Sequence, residues 1–224
     1  MLSGLPVLKK NKVLSSIALV CLADGLVGVS YGAVSIAAGL ELWVPLTLAI
    51  LVLAGASEFL FVGILAAGGS PLMAALAGLL VNIRLLPFGL SVQQQLGSGP
   101  LRYFGCHLLN DESVVFAISQ STPAQRKTAF WLCGLGILLV WPLGVYLGAI
   151  LGALIEDTAV FGLDALFPAI LLALVVPGLN SLRQLTATFS GAALTLLATP
   201  FLAAGLPAVL SIAGVYLGRK LYDK

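Results

Sequence analysis

The sequence predicts an all-α membrane protein, a polytopic bundle of about eight transmembrane helices (seven is the alternative count) with an internal repeat and interrupted helices. Three observations predict it. Of the 224 residues 60% are hydrophobic and 9% charged, at a mean hydropathy of +1.10, whereas a soluble domain carries about 25% charged residues to keep its surface wet. The apolar runs are continuous rather than alternating, which suits helices and not barrel strands. Breaks rich in Gly, Pro and charge divide these runs into pieces of span length.

The segments fall at about 13–38, 43–67, 71–92, 102–120, 128–152, 163–179, 185–199 and 201–218. Lys9, Lys10 and Lys12 precede the first, as in a signal peptide, but the apolar run continues to Ala38, so a retained helix is expected. The fourth is weakened by His107, Asn110, Asp111 and Glu112, and the seventh is short. With eight spans and a cytoplasmic N-terminus, Arg126, Lys127, Arg183, Arg219, Lys220 and Lys224 fall inside with the N-terminal lysines. Arg102 alone falls outside. That asymmetry places both termini in the cytoplasm of a multi-pass protein of the cell inner (cytoplasmic) membrane.

Residues 1–224 are read as a single membrane domain made of repeat halves at about 13–120 and 128–219. Gly25 pairs with Gly148, Gly39-Leu40-Glu41 with Gly162-Leu163-Asp164, Pro45 with Pro168 and Gly55 with Gly178. Repeats with interruptions at equivalent places mark binding sites in transporters. The interruptions are Ala54-Gly55-Ala56-Ser57-Glu58 and, in the second half, Pro177-Gly178-Leu179-Asn180.

Some classes are disfavoured. A net charge of +2 without a basic stripe gives no footprint for nucleic acid. Cys21, Cys106 and Cys133 stand singly in apolar runs, as small thiols packed among helices. One His with no Cys nearby makes a metal site weak, and no cofactor is expected. Ser57 and His107 sit in no hydrolase motif, so an enzyme is not expected.

Ionisable groups inside the spans carry the functional signal. Each costs about 2.5–3.5 kcal/mol at the bilayer centre on the insertion scale, so they should face inward. Asp24 stands alone in the first segment, and Glu58 follows the small-residue break, where an unwound helix would free backbone N–H groups for an anion. Close helix packing is the competing reading of those small residues. Arg84, near Asn82 and ahead of Pro87 and Gly89, keeps its proton and so needs an anionic partner. His107 and Asp111 are four apart and are expected on one helix face, with Asn110 and Glu112 beside them. A proton relay or a polar bond between helices suits that cluster.

Taken together, AGASEF (54–59), NIRLLPFG (82–89) and NDESVVF (110–116), with GLDALFPAILLALVVP (162–177) and Tyr31-Gly32, resemble the AzlC family, the large subunit of bacterial branched-chain amino acid exporters. The resemblance covers nearly the whole chain. It implies proton-driven export of Val, Leu and Ile, with Met a further candidate, and a small AzlD-like membrane partner. Glu58 stands where the family usually has Gln, and Leu85 where a His commonly follows the Arg. A zwitterion needs an anion site, a cation site and an apolar pocket. Backbone N–H groups around Gly55, Ala56 and Ser57 or the side chain of Arg84 are candidates for the first, Glu58 or Asp111 for the second. Phe59, Phe61, Leu85 and Phe88 are candidates for the third. A channel-like or scaffold subunit, or a carrier of another small organic solute, is the alternative.

Overall fold

The computed structural model describes residues 10–153, 172, 176, 179–202 and 206–222. All regular structure among them is helical: α1 (Lys10–Ala37), α2 (Trp43–Leu51), α3 (Gly55–Ala66), α4 (Pro71–Asn82), α5 (Leu85–Ser91), α6 (Pro100–His107), α7 (Asp111–Ile118), α8 (Pro123–Ala153), α9 (Leu182–Ala198), α10 (Leu206–Leu210) and α11 (Ala213–Tyr222). Three stretches of these are long and apolar enough to cross a membrane: Lys12–Ala37, Pro71–Ser91 and Pro123–Ala153. The chain forms two compact units, one from the described residues of 1–55 and 82–156, the other from those of 56–81 and 157–224.

The first unit is built on α1 and α8, of 28 and 31 residues, or about 42 and 46 Å at 1.5 Å per residue. Their contact is backbone against backbone. A Cβ on Gly32 would strike the Val145 carbonyl, one on Gly148 the Val29 carbonyl and one on Gly144 the Gly25 carbonyl; one on Gly152 would lie 3.0 Å from Ala33 Cα. Only glycine admits this approach, which is how small residues four apart join helices in lipid. The contacting pairs rise together along both chains, so α1 and α8 run parallel. Tyr31, fully buried, stacks on Trp141 at 5.9 Å and 16° beside this seam. The outer faces show Leu19, Leu22, Leu26 and Leu139, each more than 60% exposed, a surface suited to acyl chains rather than water.

Gly39 ends α1 with φ +81° in a paired arrangement, its N–H donating to Ile36 and that of Leu40 to Ser35. Gly68 ends α3 the same way. Both are Schellman caps, which need a left-handed residue and so select glycine.

Segment 43–67 is two helices, but the break lies at Val52–Ala54, and Gly55–Glu58, expected to be unwound, form the first turn of α3. The fourth segment is also two helices, of eight residues each. Their contacts along α8 run from Phe104 at Trp131 to Leu108 at Gly134, then back to Gln120 at Arg126. The chain therefore reverses at Leu108–Asn110, and 100–118 is a hairpin rather than one rod.

In the second unit α3 and α4 pair through Gly78, whose Cβ would lie 3.5 Å from the Ser57 carbonyl, and through Ile64, Ala74 and Ala77. Phe61, half-buried, packs against that cluster. The helices α9 and α11 form an antiparallel pair closed by Gly191 against Gly214, with Ser190 Oγ donating to the Gly214 carbonyl at 3.0 Å. Most of the expected 163–179 segment lies outside the described residues, with Gly162, Asp164, Pro168, Pro177 and Gly178.

Gly148→Ala should cost about 1–3 kcal/mol by overpacking the seam. Gly89→Ala, which would meet only a Leu109 methyl at 3.4 Å, should cost less; thermal unfolding in detergent compares the two. Because α1 and α8 are parallel, an impermeant maleimide should label Lys12→Cys and Lys127→Cys from the same side of sealed vesicles in a background without native cysteines. Labelling from opposite sides would contradict the parallel pair.

Candidate functional site at the helix breaks

Three breaks between Val52 and Asn110 interrupt the apolar segments, and each has its own chemistry. Between α2 and α3, Leu53 adopts φ +51° while only 3% exposed, its N–H reaching back to the Leu48 carbonyl at 3.2 Å. A bulky residue in that region stores about 1–3 kcal/mol of strain. The next helix starts at Gly55, where a Cβ would come within 2.9 Å of the Trp141 ring. Gly55 is thus fixed by an indole from the central seam.

Between α4 and α5 the cause is Pro87. A continuous helix would send its N–H to the Ile83 carbonyl; proline has none. Leu86 donates to that carbonyl instead, at 3.1 Å, and the turn leaves Arg84 at the head of α5.

Asn110 makes the third break. In extended geometry (φ −142°, ψ 174°) it caps α7, its Oδ1 accepting from Ser113 N–H at 2.8 Å. Ser113 Oγ returns the bond by accepting from Asn110 N–H at 3.1 Å. This reciprocal box satisfies two N–H groups that would otherwise be stranded. It also corrects one expectation: His107 ends α6 and Asp111 begins α7, so they share no helix face.

The second and third breaks meet. Arg84 Nη1 donates to Asp111 Oδ2 at 2.7 Å, with the two side chains 42% and 35% exposed. Next to Asp111, half-buried Glu112 is close enough to Arg84 and to Asp24 of α1 for their charges to act on it. Asp24 Oδ2 is buried and has no hydrogen-bond partner among the described residues. Cys21 and Cys133 lie buried beside these acids, the Cys21 thiol 3.9 Å from the Cys133 carbonyl. Cys106, by contrast, is exposed, against the expectation of a packed thiol.

The first unit therefore gathers Asp24, Arg84, Asn110, Asp111 and Glu112, and it also holds Gly55, Asn82, half-buried Phe88 and half-buried His107. Ala56, Ser57, Glu58 and Phe59 belong to the second unit, in the first turns of α3, where Glu58 is 1% and Phe59 0% exposed. A carboxylate in a first helical turn is favoured by the helix dipole. Asn180 is exposed, its backbone N–H donating to the Gln184 side chain at 3.0 Å. Sequence reasoning missed Ser113, although Asn-x-x-Ser is a capping spacing. It also missed Trp141 and the Gly144, Gly148 and Gly152 ladder, whose four-residue spacing was visible.

Long apolar helices joined by a glycine seam, with ionisable groups held at helix breaks, define a helical membrane protein. A model of the AzlC protein family matches residues 19–155, and the chain belongs to that family. It is 25% identical over 195 residues to the branched-chain amino acid transport protein AzlC of Bacillus subtilis, covering 84% of this chain and 76% of that one. It is 27% identical over 147 residues to an uncharacterized membrane protein of Haemophilus influenzae, covering 62% of this chain and 60% of that protein's length. No solved structure matches.

Asn110→Ala should destabilise the protein by about 1 kcal/mol through loss of the α7 cap, and Asn110→Ser by less, since Ser caps nearly as well. Unfolding temperatures of the purified variants check this ordering.

Proposed function

We propose that this chain is the large subunit of a two-component exporter that moves branched-chain and other apolar amino acids across the cytoplasmic membrane, driven by protons. A small AzlD-like membrane protein is its partner. The observation that carries the reading is the Arg84–Asp111 ion pair, set where two interrupted segments meet. Irregular backbone in a membrane is tolerated where it is enclosed by protein or lines a cavity, and broken helices of this kind form transporter sites. The likeness to a branched-chain amino acid transport protein of B. subtilis supports the substrate class.

The parallel course of α1 and α8 puts Lys12, Arg126 and Lys127 at one end of the seam. The positive-inside rule makes that end cytoplasmic. Asp24 and Glu112 suit the proton step: two carboxylates near one another away from water do not both hold full charge easily, so one proton can be taken up and released there. Glu58 stands where the family pattern that the sequence resembles usually has Gln, and its charge is dispensable for moving substrate.

Proteoliposomes loaded with labelled leucine, valine or isoleucine, with and without an AzlD-like partner, test the reading. Efflux should accelerate under a pH gradient. Glu112→Gln and Asp24→Asn should keep leucine exchange and lose that acceleration, while Glu58→Gln retains measurable export. Gradient-driven export surviving in both of the first two variants, and lost only in Glu58→Gln, would move coupling to Glu58.

A further inference from the structure

We propose that Arg84 and Asp111, with Asn110 beside them, read the two charges of a zwitterionic amino acid, so that Asp111 holds the substrate's α-ammonium rather than the coupled proton. This rests on the transport reading above and assigns the head-group contacts within it.

Arg84, Asp111 and Asn110 keep hydrogen-bonding capacity that their contacts with one another do not use. Arg84 carries five donors in a rigid fork, and the ion pair is a single contact, Nη1 to Oδ2. Asp111 Oδ1 is buried and has no hydrogen-bond partner among the described residues. Asn110 is 7% exposed; its Oδ1 is spent on the α7 cap, and its Nδ2 is buried with no such partner either. The break therefore leaves one anionic acceptor unsatisfied next to amide and guanidinium donors in surplus. A buried polar group left unpaired costs more than a typical bond gains, so a structural clasp of this composition would be poorly made. An α-amino acid head group supplies what is missing. Its ammonium donates to Asp111, and its carboxylate accepts from Arg84 and Asn110.

Position agrees with this role. Asn110 and Asp111 follow the hairpin tip that meets Gly134, about 16 Å along α8 from its start at the α-helical rise. That is well inside the apolar helix rather than at its end, as expected for a transporter site. The ion pair is partly open while Ser113 behind it is closed off, so a ligand that parts the pair reaches the charges and the Asn110 Nδ2 beside them without disturbing the cap. Without substrate, Arg84 and Asp111 neutralise each other. With substrate, each exchanges the other for the opposite end of the zwitterion.

The test uses the full chain in nanodiscs and equilibrium binding of labelled leucine. Competitors are 4-methyl-2-oxopentanoate, which lacks the ammonium, and 3-methylbutylamine, which lacks the carboxylate. Neither should compete well with the wild-type protein. Asp111→Asn should weaken leucine about tenfold or more, as expected for losing a bond to a charged group, and leave the weak affinity for the oxo acid unreduced. Asn110→Asp keeps a good cap, so it should still give a monodisperse, folded protein, yet lose leucine by carboxylate repulsion. The double exchange Arg84→Asp with Asp111→Arg should recover a monodisperse, folded protein without leucine binding. Leucine binding restored by the exchange, or untouched in Asp111→Asn, or lost there in parallel with the oxo acid, would overturn the assignment and leave the transport reading standing. A wild-type protein that binds neither leucine, valine nor isoleucine would overturn both.

Discussion

The first unit depends on α1 and α8 touching through their backbones. In a bilayer, lipid tails are as apolar as leucine, so two helices gain little by hiding apolar side chains from their surroundings. What holds them is dense van der Waals contact, and that requires the axes to come close. Gly28, Gly32, Gly144, Gly148 and Gly152 remove the side chains that would keep them apart. The same approach lays Tyr31 on Trp141 and brings Cys21 under Gly136, where a Cβ would meet its sulfur at 2.6 Å. Trp141 then sets where α3 can begin, because Gly55 fits against its ring. One seam thus determines the position of a break that is remote from it in sequence.

The three breaks share a logic. A helix crossing lipid must satisfy its own N–H and C=O groups, so each interruption needs a local substitute. Leu53 uses a left-handed residue and a longer backbone bond, Ile83 accepts from Leu86 in place of the missing proline donor, and Asn110 with Ser113 forms a capping box. With the backbone satisfied locally, the charged side chains at the second and third breaks are left for other work. Arg84 and Asp111 meet across them at 2.7 Å. Charged groups inside apolar segments are costly in lipid, and pairing Arg84 with Asp111 offsets part of that cost.

Much of this was legible in the chain. The continuous apolar runs gave the helices, and the excess of Gly, Pro and charge pointed to the neighbourhood of two interruptions, which the structure puts at 52–54 and 108–110. Arg84 demanded an anion because it cannot lose its proton; the sequence offered Glu58, Asp24 or Asp111, and the structure pairs it with Asp111. The face shared by His107 and Asp111 was an extrapolation of helical spacing across a residue, Asn110, that ends the spacing. Phe61, a candidate for a pocket, packs half-buried against a core cluster, and an aromatic beside a helix break reads the same in either setting.

By itself the sequence determined the solvent, the class of secondary structure, the places where helices fail and the few charges that lipid does not tolerate. These are properties of composition and short range, and they follow from transfer free energies and missing donors that each residue carries wherever it sits. Only the tertiary structure decided which charge meets which, that the fourth segment doubles back, and that α1 and α8 run parallel along a glycine ladder. Those outcomes depend on close approach between separate helices, in the seam between residues more than a hundred positions apart. Backbone contact of that kind is governed by shape, and glycine, having no side chain, shows in a sequence only that such contact is possible.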